Sequence, residues 1–236
     1  MKLSRLCLAI ATTAAALCLA QANAADQPNR DWPNLARYRA ENVQAGWPAK
    51  DENRVVFMGD SITEFWDRSP SGLFANKTYI NRGISGQTTP QMLIRFRPDV
   101  IELHPRLVVI LAGTNDIAGN TGPVGVETIA GNIESMAELA RAHGIKVILA
   151  SVLPADRYPW IPAIKPAQQI VALNKLIKAY AEGHGLVYLD YHTLMANEGL
   201  GLKKEYSTDG VHPVAAGYKL MTELVEQAIQ TALRQR

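Results

Sequence analysis

Four short polar segments of the chain contain the residue types that nucleophilic catalysis needs: a serine hydroxyl, an imidazole, carboxylates and hydrogen-bond donors. A serine becomes a good nucleophile only when a base takes its proton, and a carboxylate on the far imidazole nitrogen fixes the tautomer of that base. Glycine lets a backbone N–H approach closely and an asparagine amide adds a donor, so the same segments can stabilise an oxyanion. Together these are the parts of acyl transfer. The segments are Gly59-Asp60-Ser61-Ile62, Asn81-Arg82-Gly83-Ile84-Ser85-Gly86-Gln87-Thr88, Gly113-Thr114-Asn115-Asp116 and Asp209-Gly210-Val211-His212-Pro213.

A predicted parallel sheet would bring these segments to one edge. The central apolar runs are continuous and rich in β-branched residues, which is typical of parallel strands covered on both faces. Each of the first three polar segments follows a predicted strand, and the fourth comes after the last strand. Because ligands bind outside the carboxyl ends of the strands in open parallel sheets, we expect the four segments to form one site. The predicted strands are Arg54–Met58, Thr78–Ile80, Leu107–Leu111, Ile145–Ala150 and Leu186–Leu189.

Between the strands, the spacing of apolar residues changes to the period of a helix. One apolar face runs through residues 126–140, another through 170–180 and a third through 216–232. Strands that alternate with helices imply an α/β fold with helices on both sides of the sheet. Residues 54–236 contain no repeat, low-complexity tract or linker, so we predict one domain there.

The first 53 residues are predicted to be accessory segments. Two cations precede an apolar run and Ala22-Asn23-Ala24 is an A-x-A cleavage signature, so residues 1–24 are predicted to be a secretory signal peptide. A membrane anchor is the alternative, but about 15 apolar residues fall short of the ~20 that a spanning helix needs. Residues 25–53 are predicted to form an N-terminal arm that packs on the domain through its tryptophans. The mature protein would be secreted or periplasmic.

Removal of the signal peptide changes the charge balance and the cysteine content. Two of the 24 lysines and arginines would be lost, which leaves 22 of them against 22 aspartates and glutamates. This balance argues against a nucleic-acid partner, which needs a basic face. Cys7 and Cys18 would both be lost, which excludes disulfides, a cysteine nucleophile and cysteine-ligated zinc in the mature chain. A lipoprotein signal is disfavoured because Leu17, before Cys18, is larger than the small residue usual there.

The four segments, taken in order over residues 54–233, resemble those of the SGNH hydrolase superfamily, also called the GDSL esterases and lipases. The resemblance implies a three-layer α/β/α fold with a five-stranded parallel sheet in the flavodoxin-like order. It also implies a carboxylic ester hydrolase, and we expect no cofactor. Relatives hydrolyse acetylated sugars, short-chain and aryl esters, thioesters and lysophospholipids.

The resemblance gives individual residues of the segments a role. Ser61 matches the nucleophile. Asp209 and His212 match the Asp-x-x-His pair of the family, in which the histidine is the base and the aspartate orients it. The backbone N–H of Ser61, Gly86 and the side chain of Asn115 match the three donors of the oxyanion hole.

Several residues of the segments also have simpler interpretations. Ser61 could cap a helix, with Glu64 completing a capping box, a role compatible with an exposed hydroxyl. Asp60 and Asp116 suggest the paired carboxylates of a glycosidase, but we favour a structural role in which they accept hydrogen bonds within the loops. Gln87 departs from the family pattern, since many relatives carry aspartate there, and we expect it to affect the rim of the site.

Two other kinds of hydrolytic site are disfavoured. The nucleophile elbow of the α/β-hydrolases is Gly-x-Ser-x-Gly, and Thr63 stands where that motif requires the second glycine. A zinc hydrolase needs ligands at characteristic spacings, and no pair of histidines fits them. We therefore expect no metal.

Tyr158 and Trp160 follow the fourth predicted strand and are expected at the same edge of the sheet. Our hypothesis is that both line the pocket for the acyl or alcohol part of a substrate. The alternative is that Trp160 packs the loop down and does nothing more.

We interpret the chain as an exported serine esterase that acts on short acyl groups, above all acetyl, of small-molecule or glycan esters. No long lid-like insertion or exposed apolar stretch is evident in the sequence, which favours short acyl groups. One alternative is a thioesterase or lysophospholipase with the same residues and a deeper apolar groove. Another is a non-catalytic glycan-binding module, although a pure binder has no use for an activated nucleophile.

Overall fold

Five parallel strands form a sheet in the computed structural model, which describes residues 31–235. The strands are β1 (Val55–Gly59), β2 (Tyr79–Gly83), β3 (Leu107–Leu111), β4 (Lys146–Ala150) and β5 (Val187–Leu189). Their order is β2-β1-β3-β4-β5, which confirms the predicted flavodoxin-like sheet. The predicted signal peptide and the first residues of the predicted arm lie outside the described residues. Within residues 31–235, no helix is long and apolar enough to cross a membrane.

The edge strand β2 is the one whose extent the apolar pattern predicted least well. It continues beyond its predicted end through two polar residues, Asn81 and Arg82. Asn81 donates a side-chain hydrogen bond to the carbonyl of Thr63, and Arg82 donates one to Asn42 Oδ1. Because both side chains have partners, polar residues are tolerated in this strand, whereas the central strands β1 and β3 are apolar and buried throughout.

Helices cover both faces of the sheet, which confirms the predicted three-layer fold. Residues 31–235 contain α1 (Arg39–Ala45), α2 (Ser61–Trp66), α3 (Thr89–Asp99), α4 (Thr114–Ile117), α5 (Val126–Ala142), α6 (Ala167–Gly183), α7 (Tyr191–Met195) and α8 (Ala215–Arg234), with 3₁₀ turns at Leu73–Ala75 and Ile101–Leu103. Successive strand residues point to opposite faces, so Val56 and Met58 pack with α3, α5 and α6. Val55 and Phe57 pack with α2, α7 and α8 on the other face.

The described part of the predicted arm packs against the edge of the sheet. Tyr38 is buried, and its hydroxyl donates a hydrogen bond to the carbonyl of Gly83 at the end of β2. Asn42 binds the end of α3. Trp47 stacks on His104 with ring centroids 3.6 Å apart, yet it remains 78% exposed. The buried aromatic residue of this segment is therefore Tyr38, and the tryptophan at position 47 contributes a surface contact.

Candidate active site

Ser61 lies at the point where β1 passes into α2. Asp60 caps that helix, because its carboxylate accepts a 2.9 Å hydrogen bond from the backbone N–H of Ile62. The alternative considered for Ser61, a capping box with Glu64, is therefore wrong. Glu64 instead accepts hydrogen bonds from the backbone N–H and the hydroxyl of Ser85, in the loop that follows β2. The hydroxyl of Ser61 is left out of the capping of its own helix.

The register of the sheet brings three of the predicted loops together. Gly59, the last residue of β1, pairs with Gly83 of β2 on one side and with Leu111 of β3 on the other. The loop after β2 is also tied to β1, since the N–H of Ile84 donates a 3.0 Å hydrogen bond to the carbonyl of Gly59. Three loops therefore start side by side at the carboxyl edge, and they carry Ser61, Gly86 and Asn115.

Ser61, His212 and Asp209 form one hydrogen-bonded chain. Ser61 Oγ lies 3.0 Å from His212 Nε2, and His212 Nδ1 lies 2.7 Å from Asp209 Oδ2. The second carboxylate oxygen, Asp209 Oδ1, accepts hydrogen bonds of 2.8 Å from the backbone N–H groups of Val211 and His212. The turn that carries the imidazole is thus closed by the carboxylate that orients it.

Hydrogen bonding keeps Asp209 ionised. Partial burial raises the pKa of this carboxyl, but the hydrogen bonds from the side chain and backbone of His212 and from the backbone of Val211 outweigh burial and lower the pKa to about 2. An ionised carboxylate at 2.7 Å favours the His212 tautomer with its proton on Nδ1, in which Nε2 accepts a hydrogen bond from the hydroxyl of Ser61. Ser207, which no sequence motif pointed to, supports the carboxylate: its hydroxyl donates to Asp209 Oδ1 at 3.0 Å and accepts the N–H of Gly210.

Asn115 is buried and its side chain lies against the loop that carries Gly86. Its Nδ2 donates a 3.1 Å hydrogen bond to the carbonyl of Gln87. Gly86 has a φ of +76°, in the left-handed region that favours glycine, and it is exposed. The structure therefore brings the predicted oxyanion residues of two loops together, next to the loop that begins with Ser61.

Gln87 is buried behind the loop, so the expectation that it affects the rim of the site is wrong. Its Nε2 donates to the carbonyl of Pro33, and its Oε1 accepts from Arg95 Nε. The guanidinium of Arg95 is fully buried and donates further hydrogen bonds of 3.0 Å to the carbonyl of Gly59 and to Asp99. One buried cation therefore ties the end of β1 to the loop after β2, and each of its three nitrogens donates a hydrogen bond.

The arrangement of these residues agrees with a comparison of the sequence with known families. Residues 57–220 match the GDSL-like lipase/acylhydrolase family, and this span contains Ser61, Gly86, Asn115, Asp209 and His212. The chain belongs to this family. The resemblance to the SGNH hydrolases that the sequence suggested is therefore confirmed.

Relatives of this GDSL-family protein include a solved structure and two curated esterases. The crystal structure of a GDSL-like lipase from Bacteroides thetaiotaomicron is 51% identical, with a TM-score of 0.82 over 85% of this chain and 98% of that chain. Esterase TesA of Pseudomonas aeruginosa is 30% identical over 76% of this chain and 89% of its own. An acetylxylan esterase of Xylanibacter ruminicola is 28% identical over 78% of this chain. The chain spans about half the length of two curated relatives that it matches, 53% of one and 44% of the acetylxylan esterase.

The two carboxylates considered for glycosidase chemistry, Asp60 and Asp116, hold the loops of this GDSL-family protein together. Asp116 accepts hydrogen bonds from the backbone N–H of Thr89 and from its hydroxyl, and so links α4 to the start of α3. Burial raises the pKa of both carboxyls, and for Asp60 the value reaches about 6 in spite of the hydrogen bond from Ile62. Both contacts fit the structural role that we favoured from the sequence.

The raised pKa of Asp60 predicts that the free energy of unfolding of the protein decreases as the pH rises. The pKa of Asp60 is about 6 in the folded protein, above its usual 3.8. The protonated carboxyl therefore stabilises the fold fully below pH 3.8, and this contribution is lost as the pH rises through 6. Asp60→Asn keeps an oxygen that can cap α2 but does not ionise. We expect the free energy of unfolding of the wild type to fall relative to the variant by up to about 3 kcal/mol between about pH 4 and pH 7.

Urea unfolding of both proteins across that pH range measures the difference. Asp67→Asn, which removes an exposed carboxylate at the end of the same helix, controls for the change in net charge. A difference between wild type and Asp60→Asn that stays constant with pH would show that the carboxyl of Asp60 does not titrate in this range.

The structure separates the two aromatic residues predicted to line a pocket. Tyr158 is fully buried, so the prediction that it lines a pocket is wrong, and its hydroxyl lies 2.9 Å from Thr114 Oγ1. Trp160 is 44% exposed and stacks on the ring of Tyr158 with centroids 5.2 Å apart. The centroid of its ring lies 6.3 Å from that of the His212 ring. Trp160 therefore offers a surface beside the imidazole, and Tyr158 supports that surface from beneath. Phe65, which was not predicted to be near the site, also has its ring centroid 5.5 Å from that of His212.

Two of the remaining histidines of residues 31–235, His143 and His184, have local contacts. The Nδ1 atoms of His143 and His184 each lie within hydrogen-bond distance of the carbonyl four residues earlier, at helix ends. In this part of the chain, no group of three or more His, Cys, Asp or Glu side chains lies close enough to hold a metal ion.

Proposed function

We propose that this GDSL-family protein is an exported serine esterase that hydrolyses short acyl esters, with acetyl as the preferred acyl group. The observation that carries the proposal is the chain Ser61–His212–Asp209, with contacts of 3.0 and 2.7 Å. The names of two relatives, an acetylxylan esterase and esterase TesA, support ester hydrolysis. Export is supported by the predicted signal peptide in residues 1–24.

In the proposed mechanism, His212 Nε2 takes the proton of Ser61 as Ser61 Oγ attacks the ester carbonyl carbon. The carbonyl oxygen becomes an oxyanion, which accepts hydrogen bonds from the N–H groups of Ser61 and Gly86 and from the amide of Asn115. His212 then returns the proton to the leaving alcohol as its bond to carbon breaks, which leaves an acyl-enzyme. Water attacks that ester with His212 again as base, and the acid and free Ser61 are released.

Trp160 is proposed to bind the alcohol part of the substrate. Its exposed ring is backed by the buried ring of Tyr158 and stands beside His212, which donates a proton to the leaving alcohol in the mechanism above. A supported aromatic face is a pre-organised surface for the apolar face of a sugar ring, which fits an acetylated glycan fragment. The alternative, that Trp160 packs the loop and nothing more, predicts no difference between substrates.

Trp160→Ala is expected to separate a glycan substrate from a small one. We expect KM for an acetylated xylooligosaccharide to rise about tenfold and kcat/KM for p-nitrophenyl acetate to stay within about twofold, because loss of a stacking contact is worth about 0.5–1.5 kcal/mol. Acetate release measures the first reaction and absorbance the second. Trp160→Phe should retain most of the affinity, and Trp47→Ala, a change at another exposed tryptophan, is the matched control. Equal losses on both substrates would assign Trp160 to packing.

The experiment that tests the proposed function is hydrolysis of p-nitrophenyl esters from acetate to palmitate by the purified protein. We expect turnover to be highest for acetate or butyrate and to fall with longer chains. A maximum at long chains would contradict the short-acyl proposal and favour the lysophospholipase or thioesterase alternative. No turnover of any ester or acetylated glycan by a folded protein would contradict catalysis and favour a glycan-binding module.

A further inference from the structure

Asn120 makes three hydrogen bonds to Gly86 and Asn115, two of the three residues proposed as oxyanion donors. It lies in the loop after α4, and its backbone N–H donates a 3.0 Å hydrogen bond to the carbonyl of Asn115. Its side-chain Nδ2 donates a second, of 3.0 Å, to Asn115 Oδ1 and a third, of 3.0 Å, to the carbonyl of Gly86. One exposed amide thus joins the loop after β3 to the loop after β2.

The contact with Oδ1 fixes which way round the Asn115 amide stands. Asn115 Oδ1 accepts from Asn120, while Asn115 Nδ2 donates one of its two hydrogens to the carbonyl of Gln87. If the amide turned over, its oxygen would face the Gln87 carbonyl and its nitrogen would face the Asn120 nitrogen, so both hydrogen bonds would be lost. Because an amide is planar, holding these two atoms also fixes the direction of the second N–H of Asn115, the one available to an oxyanion.

The contact with Gly86 acts on the other loop. Gly86 adopts a φ of +76° and contributes its backbone N–H to the proposed oxyanion hole. A hydrogen bond to the carbonyl of the same residue limits rotation about its backbone and so helps to hold the direction of that N–H. Oxyanion donors stabilise a transition state best when their orientation is set before the reaction. The same Asn120 nitrogen therefore restrains both donors.

We propose that Asn120 is a positioning residue that sets the orientation of the Gly86 and Asn115 oxyanion donors. The proposal rests on the proposed function, since it needs an oxyanion to form at this site. Asn120 touches no reacting atom in it, and acts through the two donor residues. The contribution should therefore appear in the stabilisation of the transition state and leave substrate binding unchanged.

The test uses Asn120→Ala and Asn120→Asp with p-nitrophenyl acetate. We expect kcat to fall about 10- to 100-fold in Asn120→Ala with KM unchanged, because weakened oxyanion donors affect the transition state alone. Asn120→Asp should lose at least as much, since a carboxylate in place of the amide repels the oxygens of Gly86 and Asn115. Circular dichroism and urea unfolding of each variant establish that it is folded.

A double-mutant cycle separates positioning from a general structural role. In an Asn115→Ala background, the further loss caused by Asn120→Ala should shrink severalfold, since one of the two donors through which Asn120 acts is gone. Thr121→Val is the matched control, because Thr121 donates to Thr88 Oγ1 and also joins the two loops without touching either donor. Equal losses in Thr121→Val and Asn120→Ala would overturn the proposal in favour of loop docking.

Other outcomes distinguish this proposal from the proposed function. Ser61-dependent turnover in the wild type together with an Asn120→Ala kcat within about twofold of it would overturn the role of Asn120 and leave the esterase intact. A rise in KM at constant kcat would assign Asn120 to substrate binding and also overturn positioning. Absence of Ser61-dependent turnover in the wild type would overturn both.

Discussion

Ser61→Ala is expected to lower kcat for p-nitrophenyl acetate about 10⁴- to 10⁶-fold, with little change in KM. The hydroxyl is the nucleophile that attacks the substrate ester in the proposed mechanism, and it lies 3.0 Å from the nitrogen that would take its proton. The variant removes one buried oxygen that takes no part in capping α2, so its stability should be close to that of the wild type. What remains would be the weak acceleration that the oxyanion donors give to attack by water.

Covalent labelling tests the assignment of Ser61 as the nucleophile without a substrate. A sulfonyl fluoride should add one sulfonyl group to the wild type, located by mass spectrometry at Ser61, and none to Ser61→Ala. Ser135→Ala is the matched control, because the hydroxyl of Ser135 donates within helix α5 to the carbonyl of Gly131 and belongs to no proposed site. Undiminished turnover in Ser61→Ala, or a label on a different residue, would contradict the assignment of the nucleophile.

The sheet could be predicted from the sequence because its central strands are single apolar runs. β1 and β3 are buried on both faces, and short apolar runs that alternate with amphipathic helices are typical of such strands. Once the strands are known, parallel topology puts the ends of β1, β2 and β3 at one edge of the sheet. The motif residues lie in the loops after these strands, so they are expected at the same edge. The edge strand β2 was predicted too short because burial in it is partial and its polar residues are paired locally.

The residues that hold the site together were harder to predict, because polar residues do not contribute to the apolar pattern that identifies a buried face. Arg95 looks like an ordinary exposed cation of a helix, and its burial depends on partners at Gln87, Asp99 and Gly59 that only the folded chain assembles. Asn120 is a single polar residue in a glycine-rich loop, and the carbonyl of Gly86 that it binds lies 34 positions away. Sequence motifs therefore indicate the candidate reactive groups, while the contacts that orient those groups are set by tertiary structure.

Asp209→Asn is expected to lower kcat about 10⁴-fold while leaving the fold and KM nearly unchanged. The retained Oδ1 can still accept the backbone N–H groups of Val211 and His212, so the turn that carries the imidazole should persist. At Oδ2 an NH₂ group would replace an oxygen that lies 2.7 Å from His212 Nδ1. A donor there favours the tautomer with its proton on Nε2, and that nitrogen can no longer accept the proton of Ser61.

The pKa of Asp209 explains why the effect should be large at neutral pH. Burial works against ionisation of this carboxyl, but its hydrogen bonds lower the pKa to about 2, so at neutral pH the wild-type carboxylate is a charged acceptor for His212. Removing that charge therefore has two effects: neutral His212 no longer favours the tautomer with its proton on Nδ1, and the imidazolium formed in the transition state has no counter-ion. The rate of labelling of Ser61 by a sulfonyl fluoride should fall with kcat, because both reactions need the base. Glu205→Gln, a loss of one exposed carboxylate in the same segment, controls for net charge. A loss of less than about tenfold in Asp209→Asn would mean that another group sets the tautomer of His212.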